Sequence, residues 1–272
     1  MDRRVLLSLL SVGAAQALIG CSSEHHPRAT IRPAATTVRA ETSEPSPTAA
    51  PPLPPIPPPH PGPPTVVSSD PARTPRIALT IDDGYDPDTV AGYVEFAQRS
   101  KIPITFSPNG CYRAIWDRHA DTLRPLIEAG QVQIGNHTFS HKDLLAHRTD
   151  ADIQADVEKN EQWIETTFGI TSHPWFRPPY DSHNHHVDAV VGELGYTKIL
   201  MWNGSFGDST LITPAQLLGL ATRYLQPGTI MIGHANHRTI LGLFSNIEQL
   251  IEQRQLQPVT LDTMFGTSRA IG

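Results

Sequence analysis

From Arg76 onward the apolar positions alternate between two rhythms. Short unbroken runs of Ile, Leu, Val and Phe read as buried strands. They cover Ile77–Ile81, Ile102–Phe106, Val132–Ile134, Trp175-Phe176, Thr197–Trp202, Thr229–Ile232 and Val259–Leu261. Between them lie stretches with apolar residues three and four apart, the spacing of a helix with one buried face. These are Asp88–Arg99, Arg118–Ala129, Thr149–Phe168, Val187–Leu194, Pro214–Tyr224 and Phe244–Arg254. The boundaries carry their own signals. Thr149 and Asp152 form a capping-box pattern, Pro214 suits a first helical turn, and Gly130, Gly169 and Gly195 follow helix ends. This β/α alternation predicts an α/β fold with a mainly parallel sheet, and in barrel form all strand C-termini open on one face.

Polar residues with chemical potential sit just after those strands: Asp82 and Asp83, His137 and His141, Arg177, Asp208 and His234. In a barrel, residues this far apart in sequence converge. Two adjacent acids at a strand end repel each other, and a cation relieves that repulsion. An acidic turn capping the strand is the bland alternative. His137 and His141 are four apart, which on a helical turn puts both imidazoles on one face, although two hydrogen-bonded loop histidines fit equally well. Together with an Asp they make two His and one carboxylate, a set that leaves coordination positions open for water and substrate.

Composition changes sharply before Arg76. Residues 1–21 read as an export leader: Arg3 and Arg4, an apolar run Val5–Ile19 of about 15 residues, then Leu18-Ile19-Gly20-Cys21. The run is short for a membrane span. Residues 22–75 are rich in Pro, Ala, Thr and Ser, with PPLPPIPPP at their centre, and read as a disordered or semi-rigid tether. Residues 76–266 have the composition of one folded domain, and 267–272 read as a tail. The net charge of −6 and the lack of a basic block argue against nucleic acid. With two cysteines in the chain, neither a disulfide framework nor a Cys-rich zinc site is available.

These motifs resemble the polysaccharide deacetylases of carbohydrate esterase family four, the NodB homology domain. Thr80-Ile81-Asp82-Asp83-Gly84 is similar to the first motif, TFDDG; His137-Thr138-Phe139-Ser140-His141 to the second; and Arg177-Pro178-Pro179-Tyr180 to the third. Asp208 and Ile232-Gly233-His234 match parts of the fourth and fifth. The resemblance implies a distorted, TIM-like (β/α) barrel of seven or eight strands. It implies that Asp83, His137 and His141 hold one divalent metal, with zinc expected and cobalt, manganese or nickel as alternatives. It makes Asp82 the catalytic base, Arg177 the partner that keeps it ionised, and His234 the general acid. The Tyr180 backbone N–H then faces the oxyanion, Asp208 orients His234, and Ile232 lines an acetyl pocket. Pro178 and Pro179 lack N–H groups, so Tyr180 offers the first free donor after Arg177. Leu18-Ile19-Gly20-Cys21 likewise resembles a bacterial lipobox, which implies acylation of Cys21, a membrane anchor and an extracytoplasmic location.

The chain departs from the family at Ser205 and Ser209, where the fourth motif has Asp and Trp, and at Asp181 and Ala235. Loss of the Trp removes one wall of the substrate groove. The expected activity is removal of N-acetyl groups from an amino-sugar polysaccharide, peptidoglycan or chitin-like. An O-acetyl esterase on the same machinery is one alternative, and a non-catalytic glycan-binding lipoprotein is another. His183, His185 and His186 read as solvated or substrate-facing side chains, His237 and Trp163 as structural, and Glu158, Lys159 and Glu161 as a solvated helix face.

Overall fold

A computed structural model describes residues 55–72, 74–144 and 149–267, which lie in one compact unit. The leader with Cys21, residues 22–54 of the proposed tether and residues 268–272 lie outside the described residues. The strands are β1 (Thr65–Val67), β2 (Arg76–Asp83), β3 (Ile104–Pro108), β4 (Val132–Ile134), β5 (Trp175–Phe176), β6 (Lys198–Leu200), β7 (Gly204–Ser205), β8 (Ile230–His234) and β9 (Gln257–Pro258). The helices are α1 (Pro87–Ser100), α2 (Arg113–Trp116), α3 (Ala120–Glu128), α4 (Asp150–Phe168), α5 (His185–Glu193), α6 (Pro214–Tyr224), α7 (Phe244–Gln253) and α8 (Leu261–Phe265).

β2 is the central strand. Every residue after Arg76 is buried, and β3 and β8 flank it in parallel. That explains its unbroken apolar run, since a strand covered on both faces has no solvent side to alternate with. Thr80, the polar exception, donates its hydroxyl to the Met231 carbonyl at 2.9 Å. The strands form a sheet β4-β3-β2-β8-β7 and a second sheet β1-β6-β5. A parallel bridge from Asn136 to Phe176 joins them. All nine strands pair in parallel, β9 joining the larger sheet through β2, which makes the expected α/β fold, but among the described residues no ladder pairs β1 with β7 and the barrel is not closed.

Helix ends follow their predicted chemistry. The Thr149–Asp152 capping box is formed on both sides, and Gly169 ends α4 at φ 75°. A second box, Thr213 with Gln216, starts α6. Buried faces of α1, α3, α4, α6 and α7 join β2, β3 and β4 in the main core.

Two expectations need correction. The tether expected over 22–75 is folded at its end, where β1 pairs with β6. Asp70 is buried and ion-pairs with Arg76 at 3.1 Å, and Gly62 donates to the Gly192 carbonyl at 3.2 Å. A proline-rich stretch has few N–H donors and little apolar bulk, so its docking is invisible in composition. Val259–Leu261 was expected to be a strand. Instead β9 pairs with β2 two residues earlier, and Thr260 caps α8, its side chain accepting from Thr263 N–H. Leu261 and Met264 of α8 pack on Ala78, Trp175, Leu200 and Ile230.

Candidate active site

The strand C-termini deliver their polar groups to one cavity of about 560 Å³. Asp82, Asp83, His137, His141, Arg177, Tyr180, Ile232 and His234 all line it. The sequence-predicted groups are therefore brought together, with Asp208 directly behind His234.

Asp83 Oδ1 lies 3.3 Å from His137 Nε2 and 3.1 Å from His141 Nε2. His137 Nδ1 is 2.7 Å from the Arg177 carbonyl oxygen, which can only accept, so Nδ1 carries a proton and the neutral tautomer of this ring has its lone pair at Nε2. In that tautomer two acceptors face each other at 3.3 Å, and Asp83 Oδ1 is buried without a hydrogen bond among the described residues. That arrangement fits a cation. Burial, followed by the neighbouring His137, pushes the His141 pKa down and favours the neutral ring that a ligand needs. Asp83, His137 and His141 form a candidate metal group, each offering one ligand atom within 4.8 Å of the others. His183 and His186 instead pair with Asp188 and Asp150, at 3.0 and 2.7 Å.

The two histidines do not sit on a helical turn. They occupy the loop after β4, where Thr138 has φ 63° and His141 φ 52°. Asp83, Tyr180 and Asp181 also have positive φ. Such clustered backbone strain persists only where surroundings over-determine it. Here buried amides do so: Asn109 donates to the His137 carbonyl, Asn136 Oδ1 accepts from Thr138 N–H at 2.9 Å, and Asn160 donates to Asn136 at 3.1 Å.

Arg177 is 1% exposed. It donates to Asp82 Oδ2 at 3.0 Å and to the Thr80 hydroxyl at 2.9 Å, while its guanidinium lies over the Trp202 ring. His234 Nδ1 lies 3.0 Å from Asp208 Oδ1. Burial disfavours a charged ring there, but the Asp208 hydrogen bond and the nearby carboxylates outweigh it, and the His234 pKa is raised. Tyr180 is exposed, with its ring 4.6 Å from that of His141. Ser205 and Ser209 line the wall where a Trp was expected to be missing.

Sequence reasoning missed several residues. Asn236 donates to Asp83 Oδ2 at 2.6 Å. Tyr85, Tyr112 and Trp202 form aromatic walls. The available signal was position alone, since each follows a strand end or lies in a connecting loop. Glu161, expected on a solvated helix face, is buried. It accepts from Thr171, Ser172 and Tyr196 and lies 3.2 Å from His173 Nδ1.

Residues 69–199 match the family model described as polysaccharide deacetylase. The chain carries a polysaccharide deacetylase domain. The matched stretch holds the candidate metal group and Arg177 and ends before Asp208 and His234. The deacetylase domain is 24% identical over 204 residues to the peptidoglycan-N-acetylglucosamine deacetylase PgdA of Listeria monocytogenes, covering 72% of this chain and 40% of the relative. It is 29% identical over 200 residues to a chitin deacetylase of Pestalotiopsis sp., covering 71% and 64%. The chain thus spans less than two thirds of either relative. In fold it resembles BA3943 of Bacillus anthracis, described as a pseudoenzyme of carbohydrate esterase family four. That structure has 17% identity and a TM-score of 0.64, covering 74% of this chain and 69% of that one.

Proposed function

We propose that this protein hydrolyses N-acetyl groups on an amino-sugar polysaccharide. The observation that carries the reading is Asp83 Oδ1 facing two imidazole Nε2 atoms with the Arg177-paired Asp82 beside them. A divalent cation held by Asp83, His137 and His141, zinc first, would acidify a bound water and polarise the acetamide carbonyl. Asp82 keeps Oδ1 free of hydrogen bonds among the described residues while Arg177 holds Oδ2, so Oδ1 takes the proton of the attacking water. The Tyr180 backbone N–H donates to the developing oxyanion. His234, held at Nδ1 by Asp208, gives a proton from Nε2 to the leaving nitrogen as the carbonyl C–N bond breaks. Acetate and a free amine leave. An amide nitrogen is a poor leaving group unless protonated, so a histidine whose pKa is raised by the Asp208 hydrogen bond against the effect of burial suits it.

The printed activities of the Listeria and Pestalotiopsis relatives support peptidoglycan and chitin as the first substrates to try. A lipidated Cys21 and the Pro-rich tether would hold the domain outside the cytoplasm near the wall, which favours peptidoglycan. Replacing Cys21 with Ser would then move the protein from the membrane to the soluble fraction; unchanged membrane association contradicts the anchor. The pseudoenzyme neighbour warns that this fold does not require turnover.

An acetate-release assay on acetylated peptidoglycan, chitin oligomers and O-acetylated glycans separates the readings. Release from N-acetylated polymers, lost in D82N with metal binding intact, is the expected result; a fall of about 10²- to 10⁴-fold fits removal of a general base. Release from O-acetyl substrates alone supports the esterase. Glycan binding with no acetate from any polymer contradicts catalysis.

A further inference from the structure

The two oxygens of Asp83 have different neighbours. Oδ1 faces the imidazoles, while Oδ2 accepts from Asn236 Nδ2 at 2.6 Å. Asn236 is 7% exposed, and its Oδ1 accepts from Gly84 N–H at 3.2 Å and Tyr85 N–H at 3.4 Å. A carboxylate only accepts and an N–H only donates, so the surroundings dictate which way this amide points. One side chain therefore ties the loop after β8 to the loop after β2, and its amide nitrogen donates to the candidate metal ligand. The backbone around Asp83 is held as well: Asp83 has φ 68°, and Trp116 Nε1 donates to its carbonyl at 2.9 Å.

We infer that Asn236 is a positioning residue that fixes Asp83 as a single-oxygen ligand and thereby sets the affinity of the divalent cation site. The inference rests on the metal reading of Asp83, His137 and His141. The bond to Oδ2 anchors the carboxylate against pivoting, and Oδ1 is held toward the two Nε2 atoms. Partners behind a metal ligand act this way, orienting it rather than touching the ion, and losing one costs roughly 10- to 100-fold in affinity. Asn236 also stands two residues beyond His234, so the same loop carries the proton donor and the ligand's anchor.

The test uses the metal-stripped full chain and its N236A and N236S variants. Zinc affinity is read by competition with a chromophoric chelator, ligand geometry by the visible spectrum of the cobalt(II) form, and folding by melting of the metal-free proteins. The serine is too short to reach Asp83 but leaves a polar group in the loop, and it serves if N236A does not fold. Zinc bound roughly 10- to 100-fold more weakly, with an altered cobalt spectrum, supports the inference. A variant that melts lower when metal-free yet keeps wild-type zinc affinity and cobalt spectrum overturns it, because Asn236 then only pins the loops. A wild-type chain that binds no zinc removes the metal reading itself, and the inference with it.

Discussion

At the scale of single residues, the site works by giving chemically identical groups different surroundings. Asp82 and Asp83 are neighbours in sequence, yet one faces a buried guanidinium and the other two imidazoles. Adjacent residues on a strand point to opposite sides, and the positive φ of Asp83 turns its carboxylate away from that alternation. The same logic governs His234. Its raised pKa comes from overcoming burial with the Asp208 hydrogen bond and nearby negative charge. As the proposed acid it must be protonated, so activity falls as pH rises through that pKa. Replacing Asp208 with Asn removes the carboxylate and lowers the His234 pKa. The alkaline limb of the kcat/KM profile should move to lower pH; a limb that stays put, with activity otherwise retained, means that His234 is not the group titrating. Asp82, Asp83, His137, His141, Arg177 and His234 were legible because each sits in a motif beside a strand end. Asn236 was not, because a lone asparagine in a loop carries no spacing signal.

At the scale of elements, the apolar rhythm located the strands and helices that bury a continuous face, and it failed where polar groups do the packing. α4 is the clearest example. Its apolar stripe was read from Ile153, Val157, Ile164 and Phe168, but Asn160 and Glu161 are buried with them. Asn160 braces the loop of His137 and His141 through Asn136 and donates to the Pro108 carbonyl at 3.1 Å. Glu161 ties α4 to the segment before β5 and, through Tyr196, to the start of β6. Burial alone would raise its pKa, yet His173 and the hydroxyls of Ser172 and Thr171 hold it below the usual carboxylate range. A lowered folded pKa contributes stability above the unfolded value of about 4.3, and that contribution is lost as pH falls through the folded pKa. E161Q should therefore destabilise at pH 7 and differ less from wild type in acid. E161A, which leaves buried hydroxyls unpaired, should cost about 3 kcal/mol. Denaturant midpoints measured at both pH values check this; equal loss at both would mean that the charge contributes nothing.

At the scale of the whole molecule, the fold begins earlier than composition suggests. β1 extends the β5-β6 sheet, and Pro59 and Pro64 lie against Gly195 and Gly192 at the end of α5. A Cβ at Gly192 would come within 2.7 Å of the Pro64 ring, so this glycine makes room for the proline-rich segment. A chain starting at Arg76 loses β1 and the buried partner of Arg76, whereas one starting at residue 55 keeps both. The shorter chain should melt several degrees lower; equal melting temperatures would return residues 55–75 to the linker. No helix among the described residues is long and apolar enough to cross a membrane.

The ends of β2 and β4, more than 50 residues apart in sequence, assemble one acid-imidazole cluster, and hydrolysis is proposed to depend on it. The direct measurement is acetate release by metal-stripped protein as zinc is added back in steps. The account predicts no release without metal and a rise that saturates at one equivalent of zinc per chain. Full activity in the stripped protein, or none at any zinc concentration on every acetylated glycan tried, would contradict it.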